Sequence, residues 1–155
     1  MDAIELRPAR ADDFEFLRRL HRECFKDYVE QTWGVWDEVD QLERLQPSRS
    51  WHNGSIFLLP GRAVGFLAVT DHGSFLFLDG IAILPEYQNR GLGTTLIAQV
   101  LERGEGRGIP VRLSVLQVNP AQTLYKRLRF FVVGGDEHRH FMERPPGPTS
   151  RQNLV

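Results

Sequence analysis

Residues 75–101, FLFLDGIAILPEYQNRGLGTTLIAQVL, constrain the fold more than any other part of the chain. Between 75 and 84 the only charge is Asp79, and large apolar side chains fall on both faces of an extended backbone. A strand wet on one side alternates with polar residues, so this pattern predicts a central strand buried on both faces. Pro85 ends it, having no N–H to donate. Gln88-Asn89-Arg90-Gly91-Leu92-Gly93-Thr94 then leads into 95–101, where apolar residues return at helical spacing. The first turn of a helix leaves backbone N–H groups without partners. Gly91 and Gly93 keep side chains clear of them, and Arg90 adds positive charge. The arrangement suits a phosphate held on a helix N-terminus.

The chain of 155 residues reads as one domain, 1–144, with a tail at 145–155 that begins Pro-Pro-Gly-Pro and suits neither helix nor central strand. Its formal net charge of -1 provides no basic field for a nucleic-acid backbone. No apolar run approaches the roughly 20 residues of a membrane span. The acidic start Met1-Asp2-Ala3-Ile4-Glu5 is unlike a secretory signal. Cys24 is the single cysteine, so no disulfide forms within the chain. A cytoplasmic protein is the expectation.

Taken in order, 3–7 alternate as a short strand closed by Pro8. Asp12 with Glu15 resembles a capping box, and Phe14, Leu17, Leu20, Cys24 and Phe25 share one helical stripe. Cys24 on that stripe reads as packing rather than as a nucleophile. Gly34 breaks the helix between Trp33 and Trp36. The aromatic and acidic cluster around Tyr28, Trp33 and Trp36 is either a packed helix corner or a lid that receives a cationic acceptor. A short helix at 41–49, a hairpin of 55–59 and 63–70 around Pro60-Gly61, and the 75–84 strand follow. Glycines at 104–108 predict the end of the second long helix. A strand at 111–116 precedes Asn119-Pro120, an N-cap and first-turn pair, and a helix at 121–129. A hairpin closes the sequence, its turn placed at Gly134-Gly135. His138 and His140 lack further ligands at metal spacing, and no metal is expected.

The spacing Gln88-x-x-Gly91-x-Gly93 after the strand ending Ile81-Ala82-Ile83-Leu84-Pro85 resembles the acetyl-CoA signature of the GNAT acyltransferase superfamily. Asn119-Pro120-Ala121 followed by Leu124-Tyr125 is similar to the second half of the family pattern, which ends in Gly-Phe where this chain has Arg129-Phe130. An arginine with positive φ there would be strained. The resemblance runs from about residue 4 to 144. It implies an α+β (α/β/α sandwich) GNAT fold: a mixed sheet of about six to seven strands, with a splayed central parallel pair flanked by helices.

The resemblance also implies the chemistry: acetyl transfer from acetyl-CoA to a primary amine by direct attack in a ternary complex. It assigns cofactor contacts to Ile81, Ala82 and Ile83, to Gln88, Asn89, Arg90, Gly91, Leu92, Gly93 and Thr94, and to Asn119. Tyr125 matches the tyrosine that serves the departing thiolate. Asp79, the one carboxylate in the central strand, shares the face of Ile81 and Ile83 and is a candidate base, with Glu30, Asp37 and Glu38 as rivals. Tyr28, Trp33 and Trp36 are candidates for binding a small-molecule acceptor. A peptide N-terminal or lysine acetyltransferase and a non-catalytic CoA-binding module remain the alternatives, as monomer or homodimer.

Overall fold

The computed structural model describes residues 5–44 and 54–147. Within them, seven strands, β1 (Glu5–Pro8), β2 (Ser55–Leu59), β3 (Arg62–Asp71), β4 (Leu76–Ile83), β5 (Val111–Leu116), β6 (Phe131–Gly135) and β7 (Arg139–Arg144), form a mixed sheet in the order β1-β2-β3-β4-β5-β7-β6. Four helices complete the fold: α1 (Phe14–Trp33), α2 (Glu38–Arg44), α3 (Leu92–Arg107) and α4 (Ala121–Arg127). Packing divides the described chain into two compact units, one of 5–69 and 79–93, the other of 70–78 and 94–147. No helix among the described residues is long and apolar enough to cross a membrane.

In the first unit, β1 pairs antiparallel with β2, and β2 with β3 through the turn at Gly61, whose φ is 82°. Leu17 and Leu20 of α1 pack with Ile56 and Leu84 as the buried cluster, and Phe14, Phe16, Cys24, Phe66 and Ala82 surround it. The helix begins differently from the expected box at Asp12 and Glu15. Asp13 supplies the start: its Oδ2 accepts the Arg10 N–H at 2.9 Å, and its carboxylate takes two bonds from Arg7, at 2.7 and 2.9 Å. A salt bridge from the neighbouring strand decided that choice, and no local spacing signals it. α1 stops at Gly34, φ 87°, whose N–H reaches Glu30 O at 2.7 Å, as a glycine helix stop requires. α2 starts at Glu38, three residues before the expected 41–49 helix, and the far half of that expectation lies outside the described residues.

Gly65 makes the closest backbone approach in this unit. A Cβ there would lie 2.6 Å from Ala82 O and 3.3 Å from Ile83 Cγ1. Gly65→Ala therefore has to push β3 off the end of β4. The expected cost is about 1–3 kcal/mol, the range for overpacking, read by chemical denaturation. An unchanged midpoint would show that the strands yield without penalty.

In the second unit, β4 and β5 pair in parallel at Leu76↔Val111, Phe77↔Arg112 and Leu78↔Leu113, and the ladder ends there although both strands run on. The expectation that β4 is buried on both faces therefore needs correction. Leu76, Leu78 and Ile83 are buried, but Asp79 is exposed and residues 80–82 are half-buried, on the stretch that the ladder does not reach. α3 also runs further than its glycines suggested, through Gly104 to Arg107, with Gly108 (φ 68°) as the stop. Gly104 is a packing residue, since a Cβ there would meet Ile109 O at 2.9 Å and Val111 Cγ2 at 3.1 Å.

The closing hairpin turns later than expected as well. Gly134 and Gly135 lie within β6, and the reversal falls at 136–138, where Asp136 Oδ1 accepts the N–H groups of His138 and Arg139, both at 2.8 Å. A Cβ at Gly135 would meet Arg139 O at 2.5 Å, which explains glycine inside the strand. His138 sits in that turn and His140 in β7 opposite Val115, so the two do not share one strand face.

Candidate active site

The signature residues of the first unit form a connected structure at the end of β4. The Leu84 N–H bonds Val64 O on β3 at 2.9 Å. Backbone groups alternate sides along a strand, so those of Ile83 and Ile81 point away from β3. The Ile83 carbonyl accepts Gln88 Nε2 at 2.8 Å and the Cys24 thiol at 3.1 Å. A 3-10 turn over Pro85–Tyr87 follows, with the Tyr87 N–H on Leu84 O and the Gln88 N–H on Pro85 O. Asn89 (φ 63°) and Gly91 (φ 81°) are both left-handed, and α3 begins at Leu92. Gly93 lies inside the first turn of that helix.

Two left-handed residues in three coil the loop so that successive amides run into the first turn of α3, where N–H groups lack partners within the helix. Space around Gly91 is open, with nothing within 4 Å of where a Cβ would stand, but its φ would strain any side chain. Arg90 is exposed, donates to Glu86 O at 3.1 Å and lies 5.3 Å over the Tyr87 ring. Glu86 is in turn bridged by Arg19 at 3.0 Å, and the Tyr87 hydroxyl accepts Arg62 at 2.6 Å. This donor set of amides and one cation, with no carboxylate in the first turn of α3, fits a diphosphate. Asp79 precedes the loop on β4 as an exposed carboxylate.

Cys24 is no nucleophile. Burial pushes its thiol up to about 11, against a smaller lowering by the Ile83 carbonyl bond. At pH 7.5 only about one molecule in 3,000 would carry thiolate, and thiolate is the reactive form. Iodoacetamide should therefore label native Cys24 at least 100-fold more slowly than the unfolded chain, where a free thiol is near ~8.5. Labelling at the unfolded rate would show that helix α1 does not shield it.

The candidate acceptor residues lie on α1 and at the corner that follows it. Trp36 is engaged in the corner between α1 and α2: its Nε1 donates to Glu38 Oε2 at 2.5 Å, and its ring stands 5.4 Å from His21. His21 Nε2 meets Gln41 Oε1 at 2.7 Å, and Gln41 is buried. Trp33, the last residue of α1, is 47% exposed, and Tyr28 is half-buried one and a half turns earlier. The packed-corner reading thus describes Trp36, and His21 with Gln41 went unrecognised. The spacing of His21 and Phe25 along α1 was the available signal.

The remaining signature residues belong to the second unit. Asn119 Oδ1 accepts the Ala121 N–H at 2.8 Å, but the pair sits one place later than expected: Pro120 is the N-cap of α4, Asn119 precedes it, and Ala121 is the first helical residue. Tyr125 is 7% exposed, its ring is 5.7 Å from Phe130, and burial pushes its phenol up to about 12. Among the described residues its hydroxyl has no hydrogen-bond partner. Arg129 takes φ 72° after α4, the left-handed position at which the family places glycine.

The sequence matches the Acetyltransferase (GNAT) family over residues 14–130. Solved structures with the same fold include the PaiA N-acetyltransferase of Thermoplasma acidophilum in complex with coenzyme A, at 21% identity and TM-score 0.68, covering 92% of this chain and 99% of that one. The ribosomal-protein-S18-alanine N-acetyltransferase of Escherichia coli is similar at 21% identity and TM-score 0.65, covering 92% and 94%. An acetyltransferase from Thermus thermophilus is similar at 20% identity and TM-score 0.72, covering 92% and 97%. With the family model matching most of the chain, the protein belongs to the GNAT acetyltransferase family and is an acyltransferase, and membership implies that it binds acetyl-CoA.

Proposed function

We propose that this protein moves an acetyl group from acetyl-CoA to the primary amine of a small molecule in one ternary complex. The observation that carries the reading is the loop of Gln88 to Thr94, where left-handed Asn89 and Gly91 turn successive amides into the start of α3. In this reading Arg90, Gly91, Leu92, Gly93 and Thr94 hold the diphosphate. Backbone groups of Ile81 and Ile83 line the acyl-bearing arm, those of Ala82 being turned to β3, and the family pattern assigns Asn119 to the arm as well.

The amine must be neutral to form the C–N bond as the C–S bond breaks. An alkylamine near pKa ~10.4 is neutral in about one molecule in 2,500 at pH 7, equivalent to ~4.6 kcal/mol. A base is therefore needed, and exposed Asp79 takes the proton through water. The family pattern assigns Tyr125 to the departing sulfur. Its phenol lies about 3.5 units above a free thiol near ~8.5, so full proton transfer would be uphill by about 5 kcal/mol. Tyr125 accordingly donates a hydrogen bond and keeps its proton. Tyr28 and Trp33 receive the apolar part of the acceptor, and Trp36 supports them from the corner.

Calorimetry with CoA, followed by turnover of acetyl-CoA over a panel of alkylamines, polyamines and peptides with free N-termini, tests the proposal. CoA binding with turnover on small amines is the expected result. Turnover on peptides alone would overturn the substrate class, and binding with no turnover on any amine would leave a CoA-binding module.

A further inference from the structure

The Gln88 side chain is bound in a way that gives it a task of its own, provided the diphosphate reading above holds. Ile83 is the last residue of β4, and its carbonyl points away from β3. That oxygen has two lone pairs and two donors, Gln88 Nε2 at 2.8 Å and the Cys24 thiol at 3.1 Å. The same Nε2 is 4.0 Å from Cys24 Sγ, so the amide group is directed at the strand end and at helix α1. The bond closes a ring over residues 83–88 around the 3-10 turn. Immediately beyond it Asn89 takes φ 63°, the left-handed conformation that asparagine tolerates better than other non-glycine residues.

We infer that Gln88 is a positioning residue: its side-chain amide, sharing the Ile83 carbonyl with the Cys24 thiol, fixes how far the amides of Arg90 to Gly93 stand from the end of β4. Strand end, helix α1 and loop meet at one oxygen, and the diphosphate meets the loop's backbone rather than the Gln88 side chain. Cys24, inert as a nucleophile, becomes the second strut.

The test compares wild type with Gln88→Met, which keeps the length and loses the donor, Gln88→Arg, which restores a donor, and Cys24→Ala. Affinity for CoA is read by calorimetry, and turnover is read with acetyl-CoA and with acetyl-pantetheine, which lacks the diphosphate. Gln88→Met should weaken CoA binding about tenfold, the weight of one hydrogen bond, and raise KM for acetyl-CoA alike with kcat within twofold. Its kcat/KM for acetyl-CoA relative to acetyl-pantetheine should fall about tenfold, a selective loss that general damage to the fold would not produce. Gln88→Arg should recover CoA affinity to within threefold, and Cys24→Ala should weaken it about threefold. Wild-type affinity in Gln88→Met overturns the inference. So does a loss in Gln88→Met with none in Cys24→Ala, because a side chain bound directly to phosphate would not depend on Cys24. Failure of wild type to bind CoA would instead remove the diphosphate reading itself.

Discussion

Tyr125→Phe should lower kcat about 10- to 100-fold while KM for acetyl-CoA stays within threefold. The buried phenol has no protein partner for its hydroxyl among the described residues, and its ring is held against Phe130. Phenylalanine keeps that ring and its burial, so the fold should survive, and only a bond to the leaving sulfur is lost. A hydrogen bond to a charged group is worth about 1.5–3 kcal/mol, which sets the size of the effect. The direction of the pKa matters too. Burial holds the phenol near 12, so wild-type kcat should show no fall from tyrosine ionisation below about pH 10. A variant as fast as wild type would reduce Tyr125 to a core residue on α4.

Asp13→Ala should cost about 3 kcal/mol of stability, lowering Tm by roughly 6–12 °C for a chain of this size. Asp13 is buried at 8% side-chain exposure, holds Arg7 by two bonds and caps the Arg10 N–H. Removing it leaves the half-buried Arg7 guanidinium with only its bond to Pro8 O and leaves the turn at the start of α1 uncapped. The Arg7 hydrogen bond holds the carboxyl below its ordinary range against the upward push of burial, and the Arg10 N–H adds a smaller lowering. A depressed folded pKa contributes stability that is complete above the unfolded value near ~3.9 and is lost as pH falls through the folded value. The gap between wild type and Asp13→Ala should therefore be full at pH 7 and shrink as pH falls below the unfolded value near ~3.9. Denaturant titrations above and below that value measure it, and a gap that does not change with pH would sink the assignment to ionised Asp13.

Most of the element order was legible in local spacing. Pro60-Gly61, Gly34 and Asn119-Pro120 mark turns and ends because each solves a backbone problem within a few residues. The signature loop was legible for the same reason, since Gly91 needs φ 81° whatever packs around it. Elsewhere glycine was ambiguous. Gly104 and Gly135 resemble stops in the sequence, yet both are sites of close approach, to Ile109 O and Arg139 O. Which of the two tasks a glycine performs depends on what comes near it, and that neighbour is not adjacent in the chain. His21 with Gln41 is the same case, a pair twenty residues apart.

The amino-acid sequence alone determined the element order and the glycine-bearing turn before α3, because these rest on periodicity and on backbone conformations that few residue types tolerate, and the resemblance of its signature residues pointed to the family. Only the tertiary structure decided that Asp13 rather than Asp12 starts α1, that Gln88 and Cys24 share the Ile83 carbonyl, and that Trp36 is held in a corner. Those outcomes depend on distances between segments remote in the chain, where a hydrogen bond forms or fails over a few tenths of an ångström.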